Sequence, residues 1–291
     1  MDLHALNWED VHVFAVAARS RSYRAAAATL GSTHPTVRRR VASLEASLGF
    51  RLFQSDAPGL HPTVQGQELL RAAEQVEEAM SSFARQARAA DSHLRGPLTA
   101  TMSISMAVGL APALAAFSEA WPEIVLTVDT STTIADLSAM EADVAIRAVP
   151  VGQTPDPSLV GRRAARVFRA AYGVDGAAGW IASLDRPGWV RHTPFPDEPV
   201  RGVMPSVALR LEACKLGMGM AMLPCFMADP HLPRLSDPEP LFDIWVLVHP
   251  DLRRNPRLKL FRDAMVTAIA DHADELQGVA PDPPPDGAQT A

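Results

Sequence analysis

Residues 23–48 read YRAAAATLGSTHPTVRRRVASLEASL, and the chain's N-terminal fold is decided by how this stretch is read. Tyr23, Ala26, Ala27 and Leu30 fall at i, i+3, i+4 and i+7, one face of an α-helix. Gly31 follows, where a helix ends on a residue that tolerates positive φ. Ser32 or Thr33 can cap a second helix, with Pro35 in its first turn, where a missing N–H costs nothing. Val37, Val41, Leu44 and Leu48 give that helix its own apolar stripe. A step of about 100° per residue puts Arg39 almost opposite the stripe and Arg38 well to one side. The small Ala27, the turn glycine and the β-branched Val37 suit two helices that cross closely. The pattern predicts a helix-turn-helix, whose second helix enters the major groove. The plainer alternative is a helical hairpin with a solvated basic face.

Charge favours the first reading. Between Val11 and Ser55 lie seven arginines (Arg19, Arg21, Arg24, Arg38, Arg39, Arg40 and Arg51) and one acid, Glu45, in a chain of net charge −6. A basic island in an acidic protein is the footprint of a nucleic-acid site.

Upstream, Asn7 can cap a helix that buries Val11, Phe14, Ala15 and Ala18, and Ser22 can cap the Tyr23 helix. Ser22, at a helix N-terminus beside Arg21 and Arg24, also suits a phosphate. Downstream, residues 50–54 and 60–63 read as short strands around a turn at Asp56, Ala57, Pro58 and Gly59. Beside a helix-turn-helix such a hairpin is a wing along the minor groove. Thr63 caps a long helix to about residue 93. Its apolar positions, Leu69, Ala73, Val76, Met80, Phe83 and Ala87, alternate four and three apart. That spacing is a coiled-coil seam for a dimer, or else a face packed on its own domain.

From residue 98 the pattern changes. Strands are expected over 98–102, 124–129, 143–148, 164–172, 220–223 and 241–249, and helices over 107–121, 134–140, 207–216 and 258–274. Their alternation argues a parallel sheet in an α/β domain. The proline-rich stretch 188–205 is left without elements, and the proline-rich tail from 278 is expected to be disordered.

At 291 residues the chain has room for several domains. The longest apolar run, 104–117, is interrupted by Ser105, Gly109 and Pro112, so no membrane span is expected. The start lacks the basic and apolar stretches of a signal peptide, which points to a cytoplasmic protein. Cys214 and Cys225 make no disulfide framework, the histidines show no metal spacing, and no nucleophile sits beside a base in a recognisable motif. Neither an enzyme nor a cofactor is expected.

Several motifs together resemble the LysR-type transcriptional regulators. They are the runs 14–17, 26–27, 34–41, 44–45 and 48–53, the run Thr63-Val64-Gln65-Gly66, the Trp121-Pro122-Glu123 segment, Asp143 to Arg147, Gly217 to Pro224 and Trp245 to Pro250. The similarity covers roughly residues 3 to 272. It implies a mixed α/β chain: a winged helix-turn-helix (1–63), a linker and dimerisation helix (64–93) and a two-lobed, periplasmic-binding-protein-like effector domain (94–277), then a tail (278–291). Lobe 1 would take about 96–166 and 238–274, and lobe 2 about 167–237. The implied partners are double-stranded promoter DNA, a second copy of the chain (as homodimer or homotetramer), a small-molecule effector between the lobes, and RNA polymerase. The competing class is a solute-binding α/β protein without specific DNA recognition.

For DNA, His34, Thr36, Arg38 and Arg39 are the candidates for groove contact, with Thr33 at the helix start. Arginine reaches guanine O6 and N7 in a bidentate way, although Arg39 suits a phosphate equally. Arg40 flanks the apolar stripe and suits packing or phosphate. Arg51 and Ser22 would hold the DNA backbone, which positions without carrying a sequence code. For the effector, the resemblance points to Ser103 and Ser105 after the first strand, Thr132 and Thr133 after the second, Ser206 at a helix start, and Arg147 at a strand end. Each serine or threonine is as well suited to capping a helix, and Arg147 to a structural ion pair.

Overall fold

Asn7 stands in extended conformation and its side chain accepts the Glu9 N–H at 2.9 Å, so the first helix starts there. The computed structural model describes residues 7–54, 59–131, 133–184, 188–227, 229 and 231–279. The chain divides into two compact units, Met1–Ala84 and Arg85–Ala291.

The N-terminal unit holds α1 (Trp8–Ser20), α2 (Tyr23–Thr29), α3 (His34–Leu48) and most of α4 (Val64–Ala90). Phe14, Ala17, Ala26, Ala27, Val37, Val41, Leu44, Leu52 and Phe53 form its core, and Leu69 and Leu70 of α4 pack against it. The expected hairpin is reduced to one antiparallel bridge, Phe53 with Pro62, flanked by Gln54 N–H to the His61 carbonyl at 2.9 Å. Its turn at 56–58 lies outside the described residues. Along α4, Ala73 is buried, but Val76, Met80 and Phe83 are 45, 53 and 71 % exposed. The second half of the predicted seam is therefore largely exposed.

The second unit is built on a six-stranded sheet of order β2-β1-β3-β8-β4-β7. Its strands are β1 (Gly96–Met102), β2 (Ile124–Asp129), β3 (Val144–Pro150), β4 (Val160–Tyr172), β7 (Ala221–Pro224) and β8 (Glu239–Val248). The expected parallel sheet is corrected to a mixed one. β1 runs parallel to β2 and β3, whereas β8 is antiparallel to β3 and β4, and β7 is antiparallel to β4. A short parallel pair, β5 (Trp180–Ala182) and β6 (Val200–Val203), lies where no elements were assigned. One core gathers Leu98, Ala100, Ile146, Val167, Ile244, Phe261 and Met265, with Phe117 edge-on to Phe261 at 5.1 Å. A second gathers Ala170, Tyr172, Ile181, Cys214 and Leu223. The change from one core to the other falls along β4.

Three helix expectations are corrected. The 107–121 helix is two, α5 (Ile104–Gly109) and α6 (Ala111–Ala120), because Pro112 supplies no N–H and restarts the helix at Leu110. The 258–274 helix likewise stops at His272, between α8 (Pro256–Asp271) and α9 (Ala273–Gln277). Residues 134–140 are not helical. Asp136 takes the N–H groups of Ser138 and Ala139 at 2.8 and 3.3 Å, and Met140 turns left-handed at φ 60°, which ends the segment after one turn. The 207–216 expectation holds as α7 (Val207–Lys215).

The last turns of α4 belong to this unit and are bound into it. Arg85 pairs with Asp251 at 3.0 Å and donates to the Ser138 carbonyl. Arg88 pairs with the buried Asp143 at 2.8 Å, and Asn255 donates to the carbonyls of Arg88 and Asp91 at 2.8 and 3.2 Å. Among the described residues no helix is long and apolar enough to cross a membrane, and no cluster of metal-binding side chains occurs.

Candidate nucleic-acid interface

The turn between α2 and α3 is set by local chemistry. Ser22 caps α2, accepting the Ala25 N–H at 3.4 Å. Gly31 takes φ 58° with nothing near the position of a Cβ, so the need for glycine there is conformational. Thr33 is the N-cap of α3 by position, but its hydroxyl bonds the Thr36 hydroxyl at 2.8 Å and caps no backbone N–H. The first-turn N–H groups of α3 are thus left open to an outside acceptor. His34 stands exposed at the helix start, edge-on to Tyr23 at 5.8 Å, while Val37, Val41 and Leu44 are buried beneath.

The seven arginines separate by partner. Arg19 grips Glu77 of α4 at 2.7 and 3.1 Å, and His12 meets the same carboxylate at 2.8 Å. Burial pushes Glu77 up, but the hydrogen bonds from Arg19 and His12 outweigh it and hold the carboxyl below its usual range. Arg40 reaches Glu9 at 2.9 Å and Asp10 at 3.1 Å, fastening α3 to the start of α1. Arg51 is 71 % exposed and touches Glu45 at 3.3 Å. Arg21, Arg24, Arg38 and Arg39 are exposed and make no ion pair among the described residues. Two of the island's charges hold the unit together, and four are exposed, Arg38 and Arg39 on α3 itself and Arg21 and Arg24 at the α1–α2 junction.

Glu45, the lone acid of the basic island, has a structural task. Its carboxylate accepts the N–H groups of Leu52 and Phe53 at 2.7 and 3.3 Å, so α3 holds the strand that enters the wing. Leu52 is fully buried, and its N–H has no water to turn to. Replacing Glu45 by alanine should cost about 2 kcal/mol, as a charge-assisted bond to buried backbone does. Glutamine keeps an acceptor and should cost less than half of that; urea unfolding of the three proteins measures both.

The effector candidates are placed in the second unit. Ser103 caps α5 and Ser206 caps α7, accepting the N–H groups of Met106 and Leu209 at 3.4 Å each. Ser105 is half-buried in α5, and Thr133 is exposed. Thr132 lies outside the described residues. Arg147 donates to the Ala135 carbonyl at 2.6 Å and makes no ion pair among the described residues, so its bond is to loop backbone. A cavity of about 340 Å³ in the same unit is walled by other residues. Cys214 and Cys225 are both buried; burial pushes the Cys214 thiol up to about 11 and raises Cys225 as well, the opposite of an activated thiolate.

Residues 8–67 match the family model described as bacterial regulatory helix-turn-helix protein, lysR family. The HTH-type transcriptional activator AmpR of Rhodobacter capsulatus is 30 % identical over 255 residues, covering 82 % of this chain and 87 % of that protein. The Mau operon transcriptional activator of Paracoccus denitrificans is 35 % identical over 142 residues; the match spans 49 % of this chain and 50 % of the relative. In fold, the chain is similar to the full-length structure of the Vibrio cholerae virulence activator AphB, described as a member of the LTTR protein family. The TM-score is 0.58 at 19 % identity, covering 90 % of this chain and 99 % of that one. At that identity the likeness is one of fold alone.

Proposed function

This chain belongs to the LysR family of helix-turn-helix transcriptional regulators, and from that premise we propose which of its residues meet DNA and how the two units divide the work. The chain is a DNA-binding transcriptional regulator. His34, Thr36, Arg38 and Arg39 enter the major groove, and Arg38 reads a base. Thr33, Ser22 and Arg51 hold phosphate, with Arg21 and Arg24 adding charge. The observation that carries this reading is the set of four exposed arginines that make no ion pair among the described residues, together with the uncapped start of α3. Four exposed like charges disfavour the compact state unless something anionic answers them.

The exposed stripe of Val76, Met80 and Phe83 pairs with the same stripe of a second copy. That places two reading heads on a pseudo-palindromic site. Residues 94–277 sense a small molecule, in two lobes with the boundaries given above. Ligand binding then shifts the assembly on promoter DNA, where RNA polymerase is met, and requires unequal affinity for the two states. A DNA-reading role of this kind places the protein in the cytoplasm. Nothing in this reading calls for an enzymatic step.

A footprint on the DNA flanking the protein's own gene, at moderate salt, is the test. Protection of a palindrome that weakens steeply as salt rises is expected. Weak binding alike on every sequence would leave the α/β unit, as a solute-binding body, to carry the function.

A further inference from the structure

Within the second unit, Arg210 of α7 is 7 % exposed, yet it makes no ion pair among the described residues. Its Nη1 donates to the carbonyls of Met204 and Pro205 at 2.7 and 3.0 Å, which orients the guanidinium but leaves its charge unanswered by any described residue. Neighbouring cations are answered: Arg169 by Glu239 at 2.6 Å, and Lys215 by Glu212 and Asp229 at 3.2 Å each. Cys214, close enough to feel the charge, is no counterion, since burial keeps its thiol protonated with a pKa of about 11. A guanidinium does not escape burial by losing its proton. An uncompensated buried charge is costly, and an anion that pairs with it offsets part of that cost.

Arg210 lines the cavity of about 340 Å³, the size of a small-molecule site. Ser183 and Thr193 add hydroxyl groups and His192 an imidazole to its wall, Arg169 stands there with Glu239 as its partner, and Trp189 and Met222 supply an apolar surface. None of the effector candidates derived from the sequence is among these residues. One unanswered cation in a half-apolar cavity suits a monoanion with an apolar body better than a phosphate dianion.

We propose that this cavity binds a small organic monocarboxylate, with its carboxylate on Arg210 and its apolar body against Trp189 and Met222. The inference rests on the reading of the second unit as a small-molecule sensor and names the class of molecule sensed.

The test is calorimetric titration of the full chain with phenylacetate and isobutyrate, each beside its uncharged amide. At least one carboxylate should bind about tenfold or more tightly than its amide, the difference a charge-assisted bidentate contact makes. That preference should vanish in R210M. Because Arg210 also holds the loop at Met204, a second pair guards against misfolding. M222E puts a carboxylate on the cavity wall and should abolish binding, whereas M222Q should keep it. Equal binding of acid and amide, no binding by either acid, or binding that survives in a folded R210M or M222E would overturn the assignment. A footprint run on the same preparation keeps the two readings separate: a protected palindrome with no carboxylate binding sinks this inference and leaves the regulator intact.

Discussion

Changing Arg38 and Arg39 together to alanine will remove protection of the specific site at protein concentrations where the parent protects it fully. A bidentate arginine–guanine pair is worth about 1–3 kcal/mol, and tenfold in affinity is about 1.4 kcal/mol. Losing two such contacts, about 2–6 kcal/mol, weakens specific binding by roughly 30-fold to 10⁴-fold. Folding should be untouched, since both side chains are exposed, make no ion pair among the described residues, and alanine is the better helix former. The single variants separate the roles. If Arg38 reads a base, R38A relaxes the preference at one base pair. If Arg39 holds a phosphate, R39A weakens all sequences alike and lowers the salt slope by about 0.9. A double variant that protects the same site at the same concentration would sink the assignment of α3 to the groove.

The second large effect is expected at Gly66. Propensity alone says that alanine inside a helix should gain nearly 1 kcal/mol, about 0.8–1.0, over glycine. Geometry says the reverse: a Cβ at Gly66 would lie 2.2 Å from the Leu52 carbonyl oxygen, 3.2 Å from its carbon and 3.3 Å from Pro62 Cβ. That carbonyl cannot step aside, because it accepts the Thr63 N–H at 2.9 Å, and Thr63 in turn accepts the Gly66 N–H at 3.0 Å. The helix start and the wing strand are in backbone contact, so overpacking outweighs propensity. G66A should destabilise the N-terminal unit by about 3 kcal/mol or more and displace the wing. Thermal unfolding followed by the footprint checks both; unchanged melting with an unchanged footprint would show that the contact relaxes without cost.

The helix-turn-helix was legible because its signals are local. Spacing of three and four, a glycine at the turn and proline in a first turn all act within a few residues, and α2 and α3 begin and end where those signals stand. The sheet's direction was not legible. β8 is apolar enough for any buried strand, and nothing in Leu241 to Val248 says that it will pair antiparallel with both β3 and β4. Residues 134–140 carry helix-like spacing, but the Asp136 side chain competes for the backbone and wins locally.

For the candidate site, charge composition located the basic island and helical spacing set Arg40 apart from Arg38 and Arg39, but neither named the partners. That Arg40 is consumed by Glu9 and Asp10, and Arg19 by Glu77, depends on helix crossings that bring together residues far apart in the chain. Glu45 looked like an exception to the island and is instead the clasp of the wing. Arg210 gave no sequence signal at all, since being buried without a counterion is a property of its surroundings.

The way the end of α4 is fastened bears on how this protein can be cut. The natural place to sever the α/β portion looks like the stretch after residue 90, where the helix stops. A fragment starting there would lose the arginines that answer Asp143 and Asp251 and the carbonyl of Arg88 that Asn255 grips. Asp143 would keep the Thr99 N–H at 2.8 Å but lose its Arg88 partner, and lower stability of the fragment should follow. A fragment that begins a few residues ahead of Arg85 carries its own closing turn of helix and is the one to express for crystallisation or ligand screening.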